Sequence, residues 1–195
     1  AEKAVQLLDQ VQMILQAVAH NSETAVNEIS MVSEADTQAL ISQWNQTDAY
    51  YPTDKSIQSL FEEKVAKHPE KIALVHNDAQ LTYGELNNRA NHLAMSIREN
   101  YKAQNGKEME PNTFVALYLD RSVDVVVSIL ATLKAGGTYV PISTEYPTER
   151  TQFILEDTKA SVLVIQQDRM ADIFMDGWLT ELETMPALVM ADELP

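Results

Sequence analysis

The sequence predicts an α/β protein, built as a layered sheet with helices on both faces. Two observations lead to this prediction. Short apolar runs of the kind that form buried strands alternate with longer segments of helical periodicity. In residues 114–142 an apolar run, an amphipathic helix and a second β-rich run follow one another with short connections. Such a strand–helix–strand unit places its two strands parallel in one sheet.

The unit of residues 114–142 is the most regular part of the chain. Phe114–Leu119 is short and mostly apolar, as a buried strand is. Ser122 is suited to cap the following helix, because its hydroxyl can accept a hydrogen bond from a free backbone N–H. The helix has apolar residues at helical spacing, namely Val126, Ile129, Leu130 and Leu133. Gly136-Gly137 can supply the positive φ that ends it, and Pro141 makes the run 138–142 an edge strand or the end of a strand.

The N-terminal region is predicted to be helical. Apolar residues recur at helical spacing over residues 3–19, namely Ala4, Leu8, Val11, Leu15 and Val18. A free coiled coil is the alternative, but the stripe spans too few heptads to favour it. Residues 21–32 link this helix to a second one that opens at Ser33. The polar segment 45–54 contains a proline and is the best candidate for a domain boundary.

The segment between that boundary and the central unit contains two helices and a hairpin. Ile57, Leu60, Phe61 and Val65 mark the first helix, which His68-Pro69 ends. Residues 71–75 and 80–83 are predicted as two short strands. Thr82 and Glu85 have the spacing of a capping box, and the helix that they begin is expected to run to about Glu99. Residues 100–113 are predicted to form a surface loop.

The segment after the central unit repeats the alternation of helix and strand. Residues 145–150 indicate a turn followed by a short helix, and residues 161–165 a strand. A further helix is indicated by Met170, Ile173, Phe174 and Trp178. Residues 187–190 are the last predicted strand.

Composition excludes several classes of protein. The net charge of −15 argues against nucleic-acid binding, which needs clustered Lys and Arg. Apolar runs are too short to predict a membrane span. Cysteine is absent, so disulfides and cysteine metal sites are excluded. No signal peptide is visible, which predicts a cytoplasmic protein, and a start without methionine suggests a piece of a longer chain.

The residues alone predict no catalytic, cofactor-binding or metal-binding site. The histidines His20, His68, His76 and His92 lack metal-ligand spacing, and no phosphate-binding glycine motif is present. Asp120-Arg121-Ser122 follows a predicted strand, where α/β sheets bind ligands. A neutralised Asp–Arg pair beside a capping serine accounts for the same residues. Glu149-Arg150 is interpreted as an exposed ion pair.

Two motifs nevertheless resemble a known family. Leu81–Leu86, LTYGEL, resembles the first core motif of the amino-acid adenylation domains of nonribosomal peptide synthetases. Leu133–Ile142, LKAGGTYVPI, resembles the second core motif of those domains. The sequence departs from the pattern at Ser143 and Thr144, where the family usually has aspartate and proline. The resemblance implies the N-terminal portion of the large subdomain of an adenylate-forming enzyme, preceded by a helical linker.

The resemblance also implies a function and a domain order. Residues 1–30 correspond to the tail of a condensation domain, 31–55 to the condensation–adenylation linker, and 56–195 to the N-terminal part of the adenylation domain. The complete domain would use ATP and Mg to activate an amino acid and load it onto the phosphopantetheine of a carrier domain. The phosphate-binding loop and catalytic lysine of the family fall outside this sequence. The chain alone is therefore expected to be inactive and to bind none of these cofactors.

The resemblance implies partners as well. These are a condensation domain upstream, and the rest of the adenylation domain and a carrier domain downstream, with no nucleic acid and no membrane. The apolar stripe of residues 3–19 makes self-association of the chain possible. The alternative function is a noncatalytic adenylation domain that serves as a spacer or as a docking platform.

Overall fold

The computed structural model describes residues 2–175 and 177–192, and the chain divides into two compact units, Ala1–Pro52 and Thr53–Pro195. The first unit is helical. Helix α1 spans Glu2–His20, and a 3₁₀ turn at Val26–Glu28 leads to helix α2, Glu34–Gln38, which continues as a π-helical turn over Ala39–Gln43. Ser33 caps α2 as predicted, because its Oγ accepts a hydrogen bond from the Asp36 N–H at 3.0 Å.

The second unit has α and β elements in alternation. Its helices are α3 (Ile57–Lys67), α4 (Tyr83–Asn105), α5 (Val123–Ala135), α6 (Thr148–Thr158) and α7 (Gln167–Met175), with a 3₁₀ helix at Trp178–Glu181. Its strands are β1 (Ile72–His76), β2 (Ala79–Thr82), β3 (Phe114–Tyr118), β4 (Thr138–Ile142), β5 (Val162–Ile165) and β6 (Ala187–Met190). These elements agree with the predicted order of helices and strands. Trp178, which was predicted in one helix with Met170 and Ile173, instead begins the 3₁₀ helix, because Gly177 with φ of 67° separates it from α7.

Four strands form one parallel sheet in the order β4-β3-β5-β6. Strand β4 pairs with β3 in register, so that Pro141 lies beside Leu117. The prediction of a parallel pair with an edge strand at Pro141 is thereby confirmed. Strands β1 and β2 form a separate antiparallel hairpin, and each lies within one residue of its predicted range.

Helices cover both faces of the parallel sheet. On one face α4 and α5 pack on side chains such as Val115, Leu117 and Val164. On the other face α6, α7 and the 3₁₀ helix pack on Ala116, Tyr118 and Leu163. Strand β5 is buried along its whole length, as expected for a central parallel strand with helices on both sides. The predicted layered sheet with helices on both faces is confirmed.

Helix α4 is longer than predicted. The prediction ended it near Glu99 and made residues 100–113 a surface loop, but the helix runs to Asn105 and ends at Gly106, with φ of 69°. Tyr101 is 5% exposed and Met109 is 7% exposed, so the core includes this segment. The polar residues around Tyr101 masked the helical periodicity that places it in line with Ile97.

The two adjacent glycines after α5 differ in conformation. Gly136 has φ of 88° and caps the helix, with open space around its missing Cβ. Gly137 does not have positive φ, but a Cβ there would lie 2.7 Å from the Met109 Cε and 2.9 Å from the Thr113 carbonyl oxygen. The predicted positive φ is confirmed at Gly136, whereas Gly137 is needed because β4 begins close to the strand before it.

Candidate functional site at the carboxyl edge of the sheet

The best candidate site by topology lies between the carboxyl ends of β3 and β5. From β3 the chain crosses through α5 to β4 on one side, and from β5 it crosses to β6 on the other side. Helices α5 and α7 therefore leave neighbouring strands toward opposite faces of the sheet. In open α/β sheets this switch point forms the crevice in which ligands bind.

The side chain of Gln166 makes hydrogen bonds to both sides of this crevice. Its Oε1 accepts a hydrogen bond from the Asp120 N–H at 3.0 Å. Its Nε2 lies 3.3 Å from the Ser122 Oγ and 3.2 Å from the Asp124 Oδ2, and it donates to both. The amide thus joins the loop after β3 to the end of β5, in the position that a polar ligand group would take.

The start of α5 is capped by the protein's own groups. The Asp124 N–H donates to the Ser122 Oγ at 3.2 Å, which confirms the predicted cap. Asp124 adds a carboxylate in the first turn, where negative charge is favoured by the helix dipole. A helix start that already holds a carboxylate is a poor site for the phosphates of a nucleotide, because the two anions repel each other.

The side chain of Asp120 connects two further segments to this edge. Its Oδ1 accepts a hydrogen bond from the Thr144 hydroxyl, in the loop after β4. Its Oδ2 accepts from the Arg169 Nε at 2.9 Å and also from the Arg169 Nη2. The hydrogen bond from Thr144 and then that from Arg169 lower the pKa of the Asp120 carboxyl below its ordinary value. Asp120 is therefore an anion at neutral pH.

Two predicted charge pairs are wrong. Asp120 pairs with Arg169 on α7 and not with its neighbour Arg121. Arg150 lies over the ring of Tyr146, 5.0 Å from its centroid, and no ion pair between it and Glu149 is found among the described residues. Residues next to each other in sequence do not face each other along a helix, so adjacency of an acid and a base does not by itself predict an ion pair.

A shallow cavity of about 430 Å³ lies beside Asp120 and is lined by residues from the loops after β3 and β4: Leu119, Asp120, Arg121, Ser143, Thr144 and Glu145. Its side chains include two carboxylates, one guanidinium and two hydroxyls. In residues 2–175 and 177–192, His, Asp and Glu nowhere form a group of three that could hold a metal ion. With two carboxylates and one guanidinium, this lining carries a net negative charge and is a poor site for the phosphates of a nucleotide.

Sequence reasoning missed three members of this edge: Thr144, Gln166 and Arg169. The sequence marks Thr144 only as a departure from a motif. Gln166 follows β5 directly, as Asp120 follows β3 after one residue. Polar residues just after two strands of a parallel sheet meet at one edge, and this is the signal that could have identified Gln166. Nothing comparable marks Arg169, which lies in the first turns of a helix.

The comparisons with known proteins agree with the fold. The family model for AMP-binding enzymes matches residues 61–191. A linear gramicidin synthase protein of Brevibacillus parabrevis is 45% identical over 160 residues, which are 82% of this chain and 2% of that protein. Gramicidin S synthase 2 of Brevibacillus brevis is 41% identical over 170 residues, which are 87% of this chain and 4% of that protein.

Solved structures show the same fold at lower identity. A nonribosomal peptide synthetase with bound α-methyl-L-serine-AMP has a TM-score of 0.66 and 23% identity, over 84% of this chain and 16% of that one. An anthranilate CoA ligase with anthranoyl-AMP has a TM-score of 0.55 and 24% identity, over 72% of this chain and 25% of that one. The parallel sheet with flanking helices is thus the fold of adenylate-forming enzyme domains.

The chain belongs to the AMP-binding enzyme family, whose model matches well over half of it. Its curated relatives are peptide antibiotic synthetases, so the resemblance to their adenylation domains is confirmed. The chain spans only 2–4% of the length of the two gramicidin synthases. Within the described residues, no helix is long and apolar enough to cross a bilayer.

Proposed function

We propose that this chain is the scaffold part of an adenylation domain of a nonribosomal peptide synthetase. The complete domain activates an amino acid with ATP as an aminoacyl-adenylate and then transfers it to the phosphopantetheine thiol of a carrier domain. Its relatives, which are synthases of linear gramicidin, gramicidin S and bacitracin, support this proposal. The residues described above serve the packing of the sheet and its loops, and the chemistry belongs to other parts of the domain.

The observation that carries the proposal is the closed switch-point crevice. Gln166 makes the polar contacts that a ligand would make, and carboxylates occupy the start of α5 and of α7. At α7, the Gln167 N–H donates to Asp192 at 3.0 Å. ATP and Mg are therefore assigned to the complete domain, and this chain alone is inactive and binds neither.

The proposal extends to the neighbours of the domain. Residues 1–30 are the tail of a condensation domain, and residues 31–55 are the linker from it to the adenylation domain, residues 56–195. The rest of the adenylation domain and a carrier domain follow, and the whole assembly works in the cytoplasm. In α1 the side chains of Leu8 and Leu15 are 69% and 63% exposed. This apolar stripe supports packing against a condensation domain, or self-association when that domain is absent.

A second candidate function is a noncatalytic adenylation domain that serves as a spacer or docking platform. The departure from the family motif at Ser143 and Thr144 is either neutral drift at a turn or a sign of relaxed selection on catalysis, and the second explanation favours this candidate. The sequence after residue 195 separates the two candidates. A glycine-rich SGTTGxPKG-like loop supports the enzyme, and a stop codon or a carrier domain directly after residue 195 supports the platform.

The inactivity of the chain is tested by amino-acid-dependent pyrophosphate exchange on the purified 195-residue protein. We expect exchange at the level of a boiled control for each amino acid tried, together with no ATP binding in a titration calorimeter. Exchange above the boiled control would contradict the assignment of the chemistry to other parts of the domain.

A further inference from the structure

The carboxylate of Asp120 is shared between two segments of the chain. One oxygen accepts from the Thr144 hydroxyl in the loop after β4, and the other accepts from Arg169 on α7. We propose that Asp120, Thr144 and Arg169 form a carboxyl-edge clamp, which positions the loops after β3 and β4 and the first turns of α7 relative to one another. The clamp is a property of this chain and does not depend on the proposed function.

The topology makes such a clamp useful. Strands β4, β3 and β5 are neighbours in the sheet, and their ladders end at Ile142, Tyr118 and Ile165. Beyond those residues the three segments are connected by side-chain contacts. The backbone of Asp120 is held by Gln166 from the β5 side, and its side chain reaches the loop after β4 on the other side. Asp120 therefore lies at the centre of the edge and contacts all three segments.

Thr144 is the member of the clamp that differs from the family pattern. The family pattern has proline at this position, and proline has neither a hydroxyl nor a backbone N–H to donate. The Thr144 hydroxyl donates to Asp120, and the Thr144 carbonyl oxygen lies 3.5 Å from the Tyr118 hydroxyl that donates to it. The departure at residue 144 thus adds a bond between two loops. This is a third explanation of the departure, beside neutral drift and relaxed selection.

The solvent exposure of the Asp120–Arg169 ion pair indicates whether the clamp affects global or local stability. The side chains of Arg169 and Asp120 are 33% and 38% exposed, so their ion pair contributes little to global stability. A hydroxyl-to-carboxylate hydrogen bond still fixes the two loops in direction and distance. The clamp should therefore change local opening of the edge while leaving the global unfolding of the domain nearly unchanged.

Hydrogen exchange of two amides tests the proposal on the full 195-residue chain. The Tyr146 N–H, which donates to the Ser143 carbonyl at 3.2 Å, reports on the loop after β4. The Asp120 N–H, which donates to Gln166, reports on the loop after β3. We expect Thr144→Val to lower the protection of both amides about 3- to 10-fold. The conservative Thr144→Ser keeps the hydroxyl and should keep the protection.

Two controls separate positioning from general loosening. Thr113→Val removes a hydroxyl that bonds the Glu110 carbonyl at the opposite edge of the sheet, and it should leave both reporter amides unchanged. In an Asp120→Ala background, Thr144→Val should cause no further loss of protection, because its acceptor is already gone. The proposal is contradicted if Thr144→Val leaves the protection of both reporter amides unchanged. It is also contradicted if Thr144→Val lowers their protection as much in the Asp120→Ala background as in the parent chain. An equal loss in Thr144→Ser would contradict it as well.

Discussion

The glycines after α5 show how neighbouring residues of one type meet different constraints. Gly136 is required by its backbone, because φ of 88° is unfavourable for residues with a Cβ. Gly137 is required by its surroundings, because the Thr113 carbonyl oxygen that a Cβ would approach is bonded to the Thr138 N–H and cannot easily move. The motif LKAGG thus combines a helix stop with a close approach of two backbones.

Substitutions by alanine and asparagine distinguish these two constraints. At Gly136 we expect alanine to cost about 1 kcal/mol of unfolding free energy, and asparagine to cost less, because asparagine tolerates left-handed geometry. At Gly137 alanine should cost about 1–3 kcal/mol through overpacking, and asparagine more, because it is larger. Urea melts of the four variants test this. The same rank order of alanine and asparagine at both positions would contradict the two explanations.

The capping box at the start of α4 predicts a pH dependence. The Glu85 carboxylate accepts from the Thr82 N–H at 2.8 Å, and the Thr82 Oγ1 accepts from the Glu85 N–H at 3.2 Å. Bonds from the Thr82 backbone and then from its side chain hold the pKa of Glu85 below its ordinary value of 4.5. A lowered folded pKa means that the stabilisation is present above pH 4.5 and is lost as the pH falls through the folded pKa.

Glu85→Gln tests this dependence. Glutamine can accept the same bond and has no charge to titrate, so the acid side of the stability–pH profile should become flatter below about pH 4.5. The solvent-exposed Glu99→Gln, outside the capping box, serves as the control for replacing a carboxylate by an amide. The two stability–pH profiles are compared from roughly pH 3 to pH 6, which brackets the ordinary pKa of a glutamate. If the profiles of the parent chain and of Glu85→Gln run parallel over that range, the capping box does not cause the pH dependence.

The sequence predicted local contacts at this scale better than distant ones. The caps at Ser33, Ser122 and Thr82 depend on residues within three positions of one another, so their spacing was visible. The partners of Asp120 lie 24 and 49 positions away. Only the packing of β4, β3 and β5 brings them together, and no local pattern contains that information.

Helix α4 is the element for which local pattern was most misleading. Its last two turns are polar apart from Tyr101 and Ala103, and sequence alone suggested a loop from residue 100 onward. The helix continues because Tyr101 is buried on the same face as Ile97, Ala94 and Ala90. The end comes at Gly106, where positive φ stops the helix. Tertiary packing thus determines where α4 ends, which helix propensity alone does not predict.

Truncating Tyr101 tests whether this extension belongs to the core. We expect Tyr101→Ala to lower the unfolding free energy by about 3 kcal/mol, as for other buried aromatic residues. The exposed Glu99→Ala, one half-turn away, should change it by less than about 0.5 kcal/mol. Chemical denaturation followed by far-UV circular dichroism measures both. Equal and small effects would mean that the end of α4 is a peripheral segment.

Other elements were predictable because their signals are short-range and strong. The βαβ unit of residues 114–142 combines an apolar run, an N-cap, a helical stripe and a glycine stop, and all four point to the same structure. Strands β5 and β6 follow from short apolar runs, of which that of β5 lies between the polar residues Ser161 and Gln166. The separation of the β1–β2 hairpin from the parallel sheet could not be predicted, because pairing between strands depends on the whole fold.

At the scale of the whole molecule, the described residues form a supporting sheet, and the protein's own side chains occupy the crevice at its switch point. Short strands in the order β4-β3-β5-β6 bury apolar side chains on two faces. The edge at which such sheets usually bind ligands is occupied by Gln166 and by the carboxyl-edge clamp. The two family motifs likewise form a capping box and a helix stop. We therefore propose that residues 61–191, the part matched by the family model, provide structure and not substrate chemistry.

A segment exchange tests this claim most directly. Residues 61–191 would replace the equivalent segment in the matching adenylation domain of the linear gramicidin synthase protein, to which the chain is 45% identical. The matched control is the same synthetase domain cut and rejoined with its own segment. Pyrophosphate exchange is then measured with each amino acid in turn. We expect the exchanged domain to be active within roughly tenfold of the control and to select the same amino acid. A folded, monomeric exchanged domain that selects a different amino acid, or that shows no exchange, would contradict the claim.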